Sequence, residues 1–318
     1  MRHQSVALIG GSGFVGTHLA NALIAAGKSV RIATRRRQRA AHLTLLPLDV
    51  IELDVFDPIE LARFVEGADA VINLVGTLHG RRGTPYGPEF ARLHVELPSK
   101  IAAACEGKSV HRLIHLSALN ADPQGPSMYL RSKGDGEKAV RGATRLATTI
   151  FRPSVVFGPE DRFLNTFALL QRLFPVIPLA KPDARFQPVY VGDVAKAIVR
   201  ALDLDAATGR IYELGGPTVY TLEALVKYCG EVIGRHARIV RLPGAFAYMQ
   251  ALTFEMLPGE PVLARDNLDS MMRDAIMSGP IAPELDLDPV SIEAIAPAYL
   301  GAASLRSRFN AFRTTAGR

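Results

Sequence analysis

The N-terminal half of the chain alternates short unbroken apolar runs with stretches whose apolar positions recur every three or four residues. Unbroken runs suit strands buried on both faces, and the recurrence is that of a helix with one buried side. Val6-Ala7-Leu8-Ile9 is the first run. Leu19, Ala22, Leu23 and Ala26 mark the helix behind it, and Gly27 closes that helix. A second apolar run lies at 70–76, further strands are expected at 29–34, 48–53, 112–116 and 147–152, and helical patterns start near Pro58, Glu89 and Tyr129. This alternation predicts an α/β fold with a doubly wound parallel sheet. Past Pro153 the alternation fades. Pro175, Pro178, Pro182 and Pro188 interrupt a crossing segment, and Asp193 stands near the start of a new helix. A strand follows at 211–214. Thr221 is the expected N-cap of a helix reaching Ile233, and helical pieces fill the rest.

The first turn sharpens this outline. Its glycines fall as Gly10-x-x-Gly13-x-x-Gly16 between a strand pattern and a helix pattern. One glycine suits the tight turn, one the approach of backbone to phosphate, and one the packing of helix on strand. A dinucleotide pyrophosphate is expected on the N–H groups around Gly13, Phe14, Val15 and Gly16, at the positive end of the helix dipole. The fold is therefore expected to be of Rossmann type. Residues 1–155, with inserted returns at 186–215, form the nucleotide-binding domain. Residues 156–185 and 216–318 form a smaller, mostly helical C-terminal substrate lobe.

Arg35 follows the second strand, 19 residues after Gly16. An acidic residue there suits the ribose 2′-hydroxyl of NAD, whereas a basic one suits the 2′-phosphate of NADP. Arg35, Arg36 and Arg39 offer forked, permanently charged donors, which favours NADP(H) over NAD(H). Cations at a helix start also oppose its dipole, so a bound phosphate would explain them. Asp54, followed by Val55, ends the third strand. It suits the adenine amino group or the cap of the helix near Pro58. Val75 and Gly76 end the fourth strand, where the cofactor ribose is expected. Pro153, ending the sixth, is a further cofactor-binding candidate.

Tyr129 and Lys133 stand four residues apart at a helix start, so they share a face. An ammonium beside a phenol favours the phenolate, which makes Tyr129 a candidate proton donor or acceptor near neutral pH. Ser117, twelve residues earlier at a strand end, is placed to orient a carbonyl or hydroxyl. Ser117, Tyr129 and Lys133 are the candidate catalytic residues.

Composition narrows the partners. The 318 residues carry a net charge of +6, with 48% hydrophobic and 21% charged residues, the balance of a globular protein. Basic residues peak at 35–39, at Arg81-Arg82 and in the tail at Arg306, Arg308, Arg313 and Arg318, without the aromatic interleaving of a nucleic-acid stripe. No nucleic-acid partner is expected. The two cysteines, Cys105 and Cys229, lie far apart without metal-ligand spacing, so no metal is expected and both thiols are expected reduced. No run reaches membrane-spanning length, and no secretory core precedes the first strand. A cytoplasmic protein is expected, a monomer or homodimer. Residues 79–87 suit either a basic lid or an ordinary connection. Met249, Met256, Met271, Met272 and Met277 are expected to supply adaptable core.

Taken together, Gly10–Gly16, Asp54, Asn73–Gly76, Ser117, Tyr129-x-x-x-Lys133, Arg152-Pro153 and Val191–Val194 resemble the short-chain dehydrogenase/reductase superfamily in its extended or atypical branch, over about residues 5–235. The stretches 115–121, 129–138 and 157–165 are similar to the nucleotide-binding accessory subunit of respiratory complex I and its bacterial relatives, which include proteins linked to quinone biosynthesis. The resemblance implies Ser117, Tyr129 and Lys133 as active-site positions and a tightly held NADP(H). It also implies an association with the inner face of a membrane through a membrane complex. Three functions compete. One is an NADPH-dependent oxidoreductase acting on an unknown small molecule. A second is a structural or assembly protein that holds NADP(H) without turnover. A third is a sugar-nucleotide epimerase or dehydratase, with Arg235, Arg238 and Arg241 as a pyrophosphate clamp. Arg35 departs from the acidic position of NAD-using epimerases.

Overall fold

The computed structural model describes residues 3–301. The basic tail beyond Leu305 lies outside the described residues, as does the side chain of Arg39. The chain divides into two compact units. The first holds Met1–Ser154, Val191–Leu214 and Met277–Asp288, and the second Val155–Tyr190, Gly215–Ile276 and Pro289–Arg318. The return to the first unit therefore starts at Val191, and residues 277–288, expected in the C-terminal lobe, belong to the first unit.

The first unit is built on seven parallel strands: β1 (Ser5–Ile9), β2 (Ser29–Thr34), β3 (Asp49–Glu52), β4 (Ala70–Asn73), β5 (Arg112–Leu116), β6 (Ala147–Pro153) and β7 (Ile211–Leu214). Their order is β7-β6-β5-β4-β1-β2-β3. The chain winds outward from β1 in both directions, so the order reverses between β1 and β4. Open α/β sheets bind their ligands beyond the strand ends at such a switch point. Val6, Ala7 and Leu8 are all fully buried, which explains the unbroken apolar run.

The helices of this unit are α1 (Phe14–Ala25), α2 (Pro58–Val65), α3 (Leu97–Gly107), α4 (Met128–Gly142) and α5 (Val191–Leu202). Leu61 and Phe64 of α2, Ile101 of α3 and Val140 of α4 pack with Ala7, Ile9, Val71 and Leu113 on one sheet face. Helix α1 packs against α5. Helix α3 continues a helix that begins at Pro88 and passes through a π-helical stretch at Ala91–Glu96. The fourth strand ends at Asn73, three residues before the expected Gly76, because the Val75 N–H turns back to Asn73 Oδ1 at 3.1 Å.

The second unit contains the expected helix Leu222–Ile233, capped by Thr221, whose Oγ1 accepts from the Ala224 N–H at 3.1 Å. It also holds helices Leu164–Leu173 and Gly244–Met256. Three two-stranded ladders run between the helices, pairing 156–157 with 189–190, 185–186 with 220–221, and 176–179 with 238–241. The proline-rich segment is thus partly strand. Pro178 is accommodated in Val176–Leu179 because that strand has a single partner. Phe157, Leu164, Leu225, Cys229, Ile292 and Leu300 form the core of this unit. The expectation of a methionine core is corrected in part: Met271 packs against Ile177, Leu179, Leu222 and Val226, but Met249, Met256 and Met272 are exposed at 57%, 79% and 59%. Among the described residues no helix is long and apolar enough to cross a membrane, and no cluster of metal-ligand side chains occurs.

Candidate functional site

The glycine loop joins β1 to α1. Gly10 has φ +86°, a conformation that disfavours any side chain. A Cβ at Gly10 would also stand 3.0 Å from the Val75 nitrogen. A Cβ at Gly16 would meet the Cα and oxygen of Gly11 at 2.5 Å, so this glycine is what lets α1 pack so close to the loop. Gly13 is the N-cap of α1. No side chain caps it, and the first turn holds no acidic residue. The N–H groups of Phe14, Val15 and Gly16 have no helical acceptors, so this end suits an anion.

Arg35 and Arg36 leave the end of β2 as exposed side chains. Arg37 does not join them. Its guanidinium donates to the Val50 carbonyl at 3.3 Å, and its backbone N–H to Glu52 Oε2 at 2.9 Å. Only a short 3-10 helix, Arg37–Leu43, follows. There is therefore no α-helix dipole for the arginines to oppose, and helix polarity gives no reason for a phosphate there. What remains is two exposed guanidinium groups at the end of β2.

Asp54 does not cap α2. That cap is Asp57, whose Oδ1 accepts from Ile59 at 2.8 Å and Glu60 at 3.0 Å. Asp54 instead accepts from the Phe56 N–H through Oδ1 at 3.0 Å, in an exposed turn. The Val55 side chain is packed in the core with Leu61 and Phe64, so only its backbone can face a ligand. Pro153 is buried at the end of β6, and its carbonyl accepts from the Leu119 N–H at 3.0 Å.

Helix α4 carries Tyr129 and Lys133 on successive turns. It is started by Ser127, whose Oγ accepts from the Leu130 N–H at 3.1 Å. Lys133 is buried, and its Nζ donates to the carbonyl of Leu116 at 3.1 Å, next to Ser117 at the end of β5. Burial pulls the Lys133 ammonium down to about 8, against the opposing pull of Glu137. Glu137 in turn holds Arg152 through two bonds of 2.8 and 2.6 Å. The Tyr129 ring stands edge-on to His94 and Phe90, at 5.6 and 6.4 Å between centroids. The Ser117 hydroxyl is buried and has no hydrogen-bond partner among the described residues. Buried hydroxyls are nearly always paired, so this one fits a group supplied by a ligand.

Two histidines beside Lys133 escaped the sequence analysis. His115 on β5 accepts at Nδ1 from the Asn73 amide at 3.1 Å, because Asn73 Oδ1 already accepts from Val75. Burial, then the Lys133 charge, push His115 down to about 3, so its ring is neutral. His94, in the π-helical stretch, lies well below the ordinary histidine range for the same reasons. His115 lies in the stretch 115–121 but had no role assigned there, His94 lies in none of the stretches singled out, and the fold carries both to Lys133. The segment 79–87 is an anchored connection. Arg131 donates to the Pro85 carbonyl at 2.8 Å, Tyr86 to Asp135 at 3.1 Å, and Arg81 pairs with Glu89 at 2.6 Å.

The sequence model of the NAD dependent epimerase/dehydratase family matches residues 6–215. The chain belongs to that family. It has the NAD(P)-binding fold of the extended short-chain dehydrogenases/reductases. The chain is 35% identical over 296 residues to the mouse mitochondrial NADH dehydrogenase [ubiquinone] 1 alpha subcomplex subunit 9, covering 90% of this chain and 77% of that one. It is 32% identical over 241 residues to the ceramide reductase of Caulobacter vibrioides, covering 75% and 73%. Among solved structures, a dTDP-glucose 4,6-dehydratase from Streptomyces venezuelae with NAD and TYD bound superposes with a TM-score of 0.76 at 19% identity, covering 95% and 98%. That likeness extends the shared fold through both units.

Proposed function

We propose that this family member binds NADP(H) at the switch point of its sheet and acts as an NADPH-dependent carbonyl reductase. The observation that carries the reading is the buried, unpartnered Ser117 hydroxyl at the strand end that also receives Lys133. Gly13, Phe14, Val15 and Gly16 would hold the pyrophosphate, and Arg35 with Arg36 the 2′-phosphate. Asp54 and Val55 would lie by the adenine, and Val75, Gly76 and Pro153 toward the nicotinamide side. When bound, NADPH supplies a hydride to a carbonyl carbon. Ser117 holds the carbonyl oxygen by donating a hydrogen bond. Tyr129 gives its proton to that oxygen, completing the alcohol, and Lys133 steadies the phenolate left behind. The similarity to a protein named ceramide reductase supports reduction.

Mass spectrometry of nucleotide released from the denatured protein tests the cofactor, with NADP(H) expected and NAD(H) counting against it. Arg35→Glu should weaken NADPH binding about tenfold to a hundredfold, as loss of charge-assisted bonds to phosphate implies, and leave NADH nearly unchanged. Equal losses for both nucleotides would remove the 2′-phosphate role. A carbonyl panel with NADPH, run beside Tyr129→Phe, tests the reaction.

A second reading rests on the 35% identity to a complex I subunit. In it the protein keeps NADP(H) as a structural ligand and works as a peripheral, cytoplasmic-side partner of a membrane complex. It predicts slow nucleotide release, no turnover and an increase in stability on binding. An epimerase or dehydratase is less well supported, because Arg241, one of the expected clamp residues, is already held by Glu223 at 2.6 Å and Asp183 at 3.2 Å.

A further inference from the structure

We propose that His94 is a positioning residue, which in its Nδ1–H form ties the Gly76 loop to the turn of α4 that carries Tyr129 and Lys133. The hydrogen bonds themselves dictate that form. The Thr77 backbone N–H can only donate, and it lies 3.0 Å from His94 Nε2, so Nε2 is the acceptor. In a neutral ring the proton then sits on Nδ1, which faces Ser132 Oγ at 2.8 Å. Ser132 Oγ in turn donates to the Tyr129 carbonyl at 2.8 Å. In this chain His94 and Ser132 each accept once and donate once, while the Thr77 N–H only donates and the Tyr129 carbonyl only accepts.

The two ends of this chain are the places that matter for the site. At one end is the loop after β4, where Gly76 is so close to α4 that a Cβ on it would lie 3.2 Å from Lys133 Nζ and 3.6 Å from His94 Nε2. At the other end is the peptide of Tyr129, whose ring rests edge-on against the same imidazole. His94 is 1% exposed and sits where its helix widens into the π-helical stretch, a distortion common at functional sites. Helix α4 approaches this stretch closely: a Cβ on Gly136 would stand 2.0 Å from the His94 carbonyl. A protonated ring could not accept from Thr77, so burial beside the Lys133 ammonium keeps the pin in its working form. His94 therefore sets the height of the Gly76 loop relative to Tyr129 and Lys133, the gap in which the nicotinamide ribose would lie.

This inference rests on the dinucleotide reading of the site, and the test separates the two. The ring nitrogens of His94 are observed by NMR in the ¹⁵N-labelled protein, assigned by their loss in His94→Gln. A proton on Nδ1 is expected, and a proton on Nε2 overturns the pin whatever the protein binds. NADPH titrations followed by nicotinamide fluorescence then compare variants. A Gln amide can accept from Thr77 and donate to Ser132, whereas Leu fills the space without either bond. His94→Leu should weaken NADPH about tenfold, the size of one ordinary hydrogen bond, with His94→Gln close to wild type. Ser132→Ala, which leaves the ring in place, should give an intermediate loss and guards against a folding defect. Equal behaviour of Leu and Gln would show that only packing matters and would sink the proposal. A wild-type protein that fails to bind NADPH overturns the dinucleotide reading, while the NMR result still decides the pin.

Discussion

Each of the two units has its own internal means of cohesion. In the first, backbone meets backbone. Seven strands share one sheet, and glycines bring α1 against its loop and α4 against the π-helical stretch. In the second, short ladders and helices drawn from distant segments are joined by side chains. Asp161 is the clearest case. Its Oδ1 accepts from the N–H groups of Phe163 at 2.8 Å and Leu164 at 2.6 Å, and its Oδ2 from Tyr299 at 2.7 Å across 138 residues of chain. The outer surfaces differ as well. Helix Gly244–Met256 of the second unit leaves Phe246, Met249, Leu252 and Met256 exposed. A repetitive backbone frame tolerates little at its contact points, while a side-chain frame can be loosened one tie at a time.

The largest expected effect tests the first frame. Gly16→Val places atoms against backbone that cannot move aside, so a loss of about 3 kcal/mol or failure to fold is expected in denaturant unfolding. Gly13→Ala is the control. Its Cβ meets only the Gly10 oxygen, at 3.4 Å, and the cost should stay below about 1 kcal/mol. If the two variants lost equal stability, close packing would not be the reason for Gly16.

Next in size is a pH effect confined to the first unit. The Lys133 ammonium titrates near 8 when folded, against 10.5 for the free side chain. Between these values the unfolded chain holds the Lys133 proton more than the native one does, so the Lys133 contribution to stability rises with pH and is lowest below about 8. The rise should be on the order of 3 kcal/mol across the window and absent in Lys133→Met, measured by unfolding at pH 7 to 10. An identical slope in the variant would show that Lys133 is not the titrating group.

Tyr299→Phe tests the second frame. It removes one bond to a buried carboxylate and should cost about 1–2 kcal/mol, with the loss in the second unit. Hydrogen exchange would place it there, and a uniform loss over both units would erase the contrast. Smallest of all, Met256→Ser should change stability by less than about 0.5 kcal/mol, because its side chain is 79% exposed. A larger loss would mean that this face is packed.

Legibility followed the same division. The sheet was readable because its inner strands are buried on both faces and are rich in apolar residues, and the glycine loop because few residues fit its backbone. The second unit was less so. Val176–Leu179 and Arg238–Arg241 are short, proline-bearing or charged, and become strands only by finding each other across the fold. The methionine pattern misled for a related reason, since periodicity marks an apolar face and not what covers it.

For the site, sequence alone determined the chemistry on offer: a glycine turn, arginines at the end of the second strand, and a tyrosine and lysine forced onto one helical face by a spacing of four. These follow from local geometry, which a chain carries wherever it folds. Tertiary structure decided what surrounds them. It gave the helix cap to Asp57 in place of Asp54, took Arg37 out of the basic cluster, and buried Ser117 without a partner. It also set His94 and His115 beside Lys133. Burial and the meeting of distant segments are properties of the packed chain, and no local pattern encodes them.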